Sequence, residues 1–173
     1  MPNRTYIEHL LPEVTKIKEV TLREKVISIW LTAMAEGKHE HIDNFPYEPS
    51  NPGSKYTLIE HVRRITQMAM AIGIVRRDVD IDKLVAGGLL HDVGKLLDWT
   101  FENGLYKKTV HADFVHHSDS GVHLAMLHKI EPEIINIISV HDDDVERYNS
   151  PEAIIITFCN IIENKIAAWK QKK

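Results

Sequence analysis

Apolar residues recur every three to four positions along most of this chain, and the period changes around Asn103-Gly104. Stripes at helical spacing are buried by packing helix on helix, so the pattern predicts an all-α domain. Thr21-Leu22-Arg23-Glu24 has the spacing of a capping box, with Val26, Ile29, Trp30, Ala33 and Met34 leading to an expected stop at Gly37. Thr57-Leu58-Ile59-Glu60 is a second box, opening a helix striped by Leu58, Ile65, Met68 and Ile72 up to Gly73. Asp80 or Asp82 caps a third helix, through Leu84, Val85, Leu89 and Leu90 to about Gly94. The period resumes from His117 to His128. Pro132 sits where a first-turn proline is tolerated, ahead of Ile134, Ile135, Ile137 and Ile138. Ser150-Pro151 opens the last helix, whose expected buried stripe is Ile154, Ile155, Phe158, Ile161, Ile162 and Ile166.

The change has its own signature. Leu97 to Glu102 and Leu105 to Val110 flank Asn103-Gly104, which predicts one small β-hairpin near residues 97–110. Lys38 to Lys55 is polar and broken by Pro46, Pro49, Pro52 and Gly53, and reads as a long ordered loop. A chain of 173 residues, 43% hydrophobic, suits a single domain over 1–173. Residues 1–56 form a helical extension with the proline-rich loop, and 57–170 form the core.

Composition closes off several functions. One cysteine excludes a disulfide framework and Cys-rich zinc modules. A net charge of −4, with no basic stripe, argues against a nucleic-acid partner. No apolar run approaches a membrane span, and Met1 to Val14 carries Glu8, His9 and Glu13 rather than a signal-peptide core. A cytoplasmic location is the expectation. The excess of histidine, 11 residues, decides where to look.

Four histidines fall on apolar stripes rather than polar faces. His61 shares a face with Ile65, Met68 and Ile72, His91 follows Leu84 by seven, His117 aligns with Gly121 and Leu124, and His141 follows Ile134 by seven. Any one of them reads most simply as a core histidine bonded to a carbonyl. Four together, with Asp92 directly after His91, point to a metal site, because neutral imidazoles suit divalent first-row metals and one carboxylate can bridge two ions. Gly87, Gly88 and Gly121 would let the helices that carry them approach closely, although plain packing explains a glycine equally well.

His61, Leu89-Leu90-His91-Asp92-Val93-Gly94-Lys95, His117 ahead of Gly121, and Val140-His141 together resemble the HD superfamily of metal-dependent phosphohydrolases, from about Thr57 to Lys165. The resemblance implies an all-α HD-domain helical bundle. It implies that His61, His91, Asp92, His117 and His141 are metal ligands, with Asp92 bridging, and that the His117–His141 pair serves a second ion. Lys95 matches a lysine facing substrate phosphate; by itself it also reads as a solvated lysine at a helix end. The family's last ligand is an aspartate from the final helix, and here Asn160 stands in its place. Either Asn160 ligates weakly, or Glu163 one turn later substitutes, or fewer ions bind. Asp142 is a candidate water-activating group, set against a solvated acidic turn of Asp142, Asp143 and Asp144.

The resemblance therefore implies a hydrolase with one or two divalent ions per chain (Mn, Fe, Co, Ni, Zn or Mg) and catalytic Asp92 and Lys95. A metal-activated water would attack a nucleotide or another small phosphate ester. Two alternatives stand beside it: an HD-fold di-iron oxygenase, against which Lys95 argues, and a non-catalytic metal- or nucleotide-binding domain. His39 and His41 read as exposed loop residues, His123 and His128 as surface, and His111 and His116 as groups orienting ligands. Cys159 reads as core. Trp99 and Phe101 either stack on a base or pack the hairpin.

Overall fold

The computed structural model describes residues 2–51, 56–142 and 147–171. Among these are eight α-helices and one two-stranded sheet, so the fold is the all-α bundle that the periodicity predicts. Short helix α1 (Arg4–Leu10) and a 3-10 turn (Pro12–Lys16) lead into α2 (Val20–Glu36). Next come α3 (Leu58–Val75), α4 (Ile81–Leu90) and the single turn α5 (Lys95–Asp98). The hairpin β1 (Trp99–Glu102) and β2 (Leu105–Lys108) precedes α6 (His117–Leu127), α7 (Pro132–Val140) and α8 (Pro151–Gln171).

Helix α4 is the hub. Every residue from Leu84 to Leu90 is buried, which a helix achieves only when surrounded, and α2, α3, α7 and α8 all pack on it. Gly87 and Gly88 allow that crowding. A Cβ on Gly87 would come 2.6 Å from Ile137, and one on Gly88 would come 2.8 Å from the Thr66 hydroxyl. Trp30 of α2 is fully buried and donates its indole N–H to Leu89 O at 3.1 Å. The last turn of α4 is thereby tied to α2.

The caps follow the sequence with one correction. Thr57 and Glu60 form the reciprocal box, and Asp80 caps α4. At α2, however, Glu19 is the cap, its carboxylate taking the N–H groups of Thr21 and Leu22. Thr21 therefore lies inside the first turn, where its N–H is already used and its hydroxyl has no capping position to fill.

The hairpin runs Trp99↔Lys108 to Glu102↔Leu105, with Asn103 (φ 53°) and Gly104 (φ 80°) in the left-handed turn that Asn-Gly favours. It starts two residues later than expected, because Leu97 and Asp98 complete the helical turn. Trp99 packs on the core and Phe101 leans on Tyr106 at 4.9 Å, so hairpin packing accounts for both.

Two expectations are overturned. The segment after Gly37 is not an exposed loop: His39, Ile42 and Phe45 are buried, and the imidazole of His39 bonds Leu96 O at 2.8 Å. The exposed reading holds for His41, and Pro52, Gly53, Ser54 and Lys55 lie outside the described residues. On α8 the buried face is Ala153, Ile156, Cys159, Asn160 and Glu163, while Ile154, Phe158, Ile161, Ile162 and Ile166 are exposed. On that face Ala153, Ile156 and Cys159 pack into the core cluster with Ile65 and Leu84, while Asn160 and Glu163 find hydrogen-bond partners.

Candidate metal centre

Each of the sequence-derived histidines sits at a helix end, where backbone groups are left over and side chains converge. His61 lies in the first turns of α3, behind the Thr57 box. His91 follows α4 and its Nδ1–H donates to Gly88 O at 2.8 Å; His141 follows α7 and its Nδ1–H donates to Ile138 O at 2.7 Å. A carbonyl can only accept, so both rings satisfy an orphan C-terminal carbonyl and aim Nε2 inward. His117 opens α6, and Gly94 sets how closely that helix approaches: a Cβ there would come 2.0 Å from His117 O and 2.7 Å from Gly121 N.

His61 is oriented by a longer chain. The Tyr56 hydroxyl donates to Glu163 Oε1 at 2.7 Å, since a carboxylate only accepts, and its oxygen receives Nδ1–H of His61 at 3.2 Å. Arg64 holds the same Glu163 oxygen at 3.0 Å. The Tyr47 ring stacks on His61 with centroids 4.0 Å apart, and Lys95 Nζ lies 3.9 Å over that ring.

Asp92 stands between two histidine pairs. Its Oδ2 is 3.2 Å from His61 Nε2, 3.5 Å from His91 Nε2 and 3.2 Å from Lys95 Nζ. Its Oδ1 is 3.1 Å from His117 Nε2 and 3.3 Å from His141 Nε2. The pairs close on themselves, with Nε2 to Nε2 at 3.3 Å for His61–His91 and again for His117–His141. Asp142 completes the second group, its Oδ2 2.9 Å from His117 and 3.3 Å from His141.

The electrostatics separate the two sides. Burial pushes the His91 imidazole down to about 3, so it is neutral. Burial also works against protonating His141, but Asp142 and Asp92 raise it to about 10, and they raise His117 as well. Desolvation would lift the Asp92 carboxyl, yet the Lys95 ammonium and the surrounding imidazoles hold it well below the usual range. Asp142 is held down in the same way by His117 and His141.

These residues fit divalent metal. Both Asp92 oxygens are buried without a well-directed hydrogen bond, although five cationic or imidazole nitrogens lie around them. Nε2 atoms that face one another at 3.3 Å, with Nδ1 of His61, His91 and His141 already engaged, are arranged for a shared central ion rather than for each other. The ligand atoms of His61, His91 and Asp92 lie within 4.8 Å of one another, as do those of Asp92, His117, His141 and Asp142. Imidazole with carboxylate is a donor set for first-row divalent metals.

The HD domain family matches residues 58–165, more than half of the chain. The chain belongs to the HD-domain family. The HD-domain chain is 28% identical over 180 residues to the dihydroneopterin 2′,3′-cyclic phosphate phosphodiesterase of Methanocaldococcus jannaschii, covering 92% of this chain and 70% of that one. It is 28% identical over 99 residues to ribonuclease Y of Pseudothermotoga lettingae, covering 57% of this chain and 17% of that one. Ribonuclease Y of Geobacillus thermodenitrificans is 30% identical over 87 residues, covering 49% of this chain and 14% of that one. The chain thus spans less than a fifth of these ribonuclease Y proteins. No solved structure matches it.

Within this HD domain, His61, His91, Asp92, Lys95, His117 and His141 come together. Asn160 stands behind Asp142: its amide donates to Asp142 Oδ1 at 2.8 Å and to His141 O at 3.2 Å, and its own oxygen accepts from Asn164 at 3.1 Å. Glu163 lies behind His61, on Tyr56 and Arg64. Asp142 lies in an exposed turn, yet its Oδ2 faces His117 and His141, while Asp143 and Asp144 lie outside the described residues. His111 bonds Ser120 at 2.7 Å and His116 caps α6 on Ser118, while His123 is exposed. His128 is partly buried against Thr32. Cys159 is buried, its thiol pushed up to about 11 by desolvation, which suits core rather than nucleophile.

Sequence reasoning missed Tyr47, Tyr56, Arg64 and Asn164. One signal was available: Asn160, Glu163 and Asn164 share one face of an otherwise apolar helix.

Proposed function

We propose that this chain is a metal-dependent phosphohydrolase acting on a small, nucleotide-like phosphate ester. The observation that carries the reading is Asp92, a buried carboxylate whose two oxygens each face a separate histidine pair. His61, His91 and Asp92 would hold one divalent ion; Asp92, His117, His141 and Asp142 would hold another. Asp142, from the turn after α7, takes the place of the final-helix aspartate for which this chain has Asn160. Such ions supply Lewis-acid polarisation of a phosphoryl oxygen and a water that ionises near neutral pH.

The protein's own groups do the rest. Lys95, partly buried against Asp92 and Tyr47, holds a fixed positive charge beside the first histidine pair, where negative charge develops on a phosphate under attack. Asn160 fixes Asp142, and Tyr56 fixes His61, so the ligands need little rearrangement. A cleft of about 300 Å³, lined by His141, Asp142, Asn160, Asn164 and Lys165, opens beside the second pair and offers room for a small ester.

The similarity to a cyclic phosphate phosphodiesterase over most of the chain supports starting with cyclic esters. The test is metal content by elemental analysis of protein purified without chelator, followed by a panel of 2′,3′-cyclic nucleotides, nucleoside monophosphates and bis(p-nitrophenyl) phosphate with manganese, iron or cobalt. Metal-dependent hydrolysis that is lost in Asp92→Ala supports the proposal. A full metal complement with no turnover on any ester would sink it and favour a binding domain.

A further inference from the structure

Helix α8 buries its narrow face and shows its broad one to solvent. Ile154, Phe158, Ile161, Ile162 and Ile166 form a continuous strip whose exposure runs from 37% at Ile161 to 51% at Phe158, and Trp169, also exposed, extends the same line. From Ile154 to Trp169 the exposed positions carry a single charge, Lys165. A helix on a protein surface ordinarily turns charged residues to water on this side.

We propose that this strip is the interface of a homodimer, with α8 packed antiparallel on α8 of a second copy. Large side chains about half open give the strip roughly 500–600 Å² of apolar surface, the upper limit for the largest patch of a monomer. Two such strips face to face bury about 1,100 Å² together, close to the lower bound of specific interfaces. The strip is self-complementary in one orientation. A two-fold axis between Ile161 and Ile162 sets Ile161 on Ile162 of the partner subunit and Ile154 on Trp169 of the partner subunit. The same axis puts Lys165 over Phe158 of the partner subunit, a cation–π contact. Parallel packing instead sets Lys165 against Lys165 and aligns the two helix dipoles unfavourably. Ile161 and Lys165 also line the cleft beside His141 and Asp142, so the second copy forms one of its walls.

Sedimentation velocity of the full chain, from micromolar to tens of micromolar, is the test. The expected wild-type species has twice the 19.9 kDa chain mass. The double variant Phe158→Glu with Ile162→Glu is expected to sediment as a monomer with unchanged circular dichroism and metal content, since both side chains are exposed in the single chain. Orientation is read with a short bismaleimide: Ile162→Cys links two copies, whereas Ile154→Cys does not, its partner lying about 22 Å away along the helix pair. A wild-type monomer, a dimer untouched by the double variant, or linking at both or neither position overturns the proposal. A wild-type monomer that pellets with phosphatidylglycerol vesicles overturns it in favour of a lipid surface.

Discussion

Asn160 donates its side-chain amide to Asp142 Oδ1 at 2.8 Å, leaving Asp142 Oδ2 turned toward His117 and His141. Asn160 thus positions the Asp142 carboxylate against the second histidine pair. Asn160→Ala frees Asp142 to rotate, and Asp142→Asn removes its charge. Each is expected to weaken one ion's binding by roughly 10–100-fold while the other ion stays. Calorimetric titration of chelator-stripped protein with manganese would show one affinity move; two affinities moving together would refute the assignment.

Tyr56 is expected to matter to the opposite side of Asp92. Tyr56→Phe removes the oxygen that receives the His61 Nδ1–H, so the first group loses affinity by about 10-fold while the second does not. The same titration reads it, and the loss should be distinct from that of Asn160→Ala.

Lys95→Met tests charge against structure. Removing the ammonium while keeping an aliphatic stem should leave metal content unchanged and lower kcat by about 10²–10³-fold, as for loss of a transition-state donor. Metal loss in this variant would instead mark Lys95 as a support for Asp92.

Glu163 gives a pH-dependent prediction. Burial would raise its carboxyl, but Tyr56 and Arg64 hold it below the ordinary 4.5. A carboxylate depressed on folding contributes stability above its unfolded value and loses it as the pH falls through its folded value. Wild type should therefore melt above Glu163→Gln at pH 7, and the gap should shrink as the pH falls below 4.5. Thermal melts across that range check it, and a gap that widens in acid would refute the pairing.

Gly94→Ala couples fold to site. The added Cβ meets the backbone of His117 and Gly121, which has no flexible end to move. Overpacking of this kind costs about 1–3 kcal/mol. The shift of α6 should carry His117 away, so the ion on the second side is lost first; chemical denaturation and elemental analysis report the two effects.

Much of this was local enough to read in the chain. Helix starts at Thr57 and Asp80 rest on caps that bond within a turn, that at Pro132 on a proline in the first helical position, and the Asn103-Gly104 hairpin on two residues that tolerate positive φ. The four histidines and Asp92 could be picked out because polar groups on apolar stripes are conspicuous at helical period. Asp142 could be named only as one of two readings, since an acidic run after a helix looks the same whether it meets water or two imidazoles from elsewhere.

The tertiary structure alone decided three matters. It chose which side of α8 is buried: the side with Ala153, Ile156 and Cys159 packs on α3 and α4, where Asn160 and Glu163 also find partners. It brought Tyr47 and Tyr56 from the loop onto His61, across contacts that no periodicity records. And it set the Asn160 amide on the Asp142 carboxylate and the His141 carbonyl. Helical period and capping act over one or two turns, whereas a site built from five helix ends depends on how those helices pack.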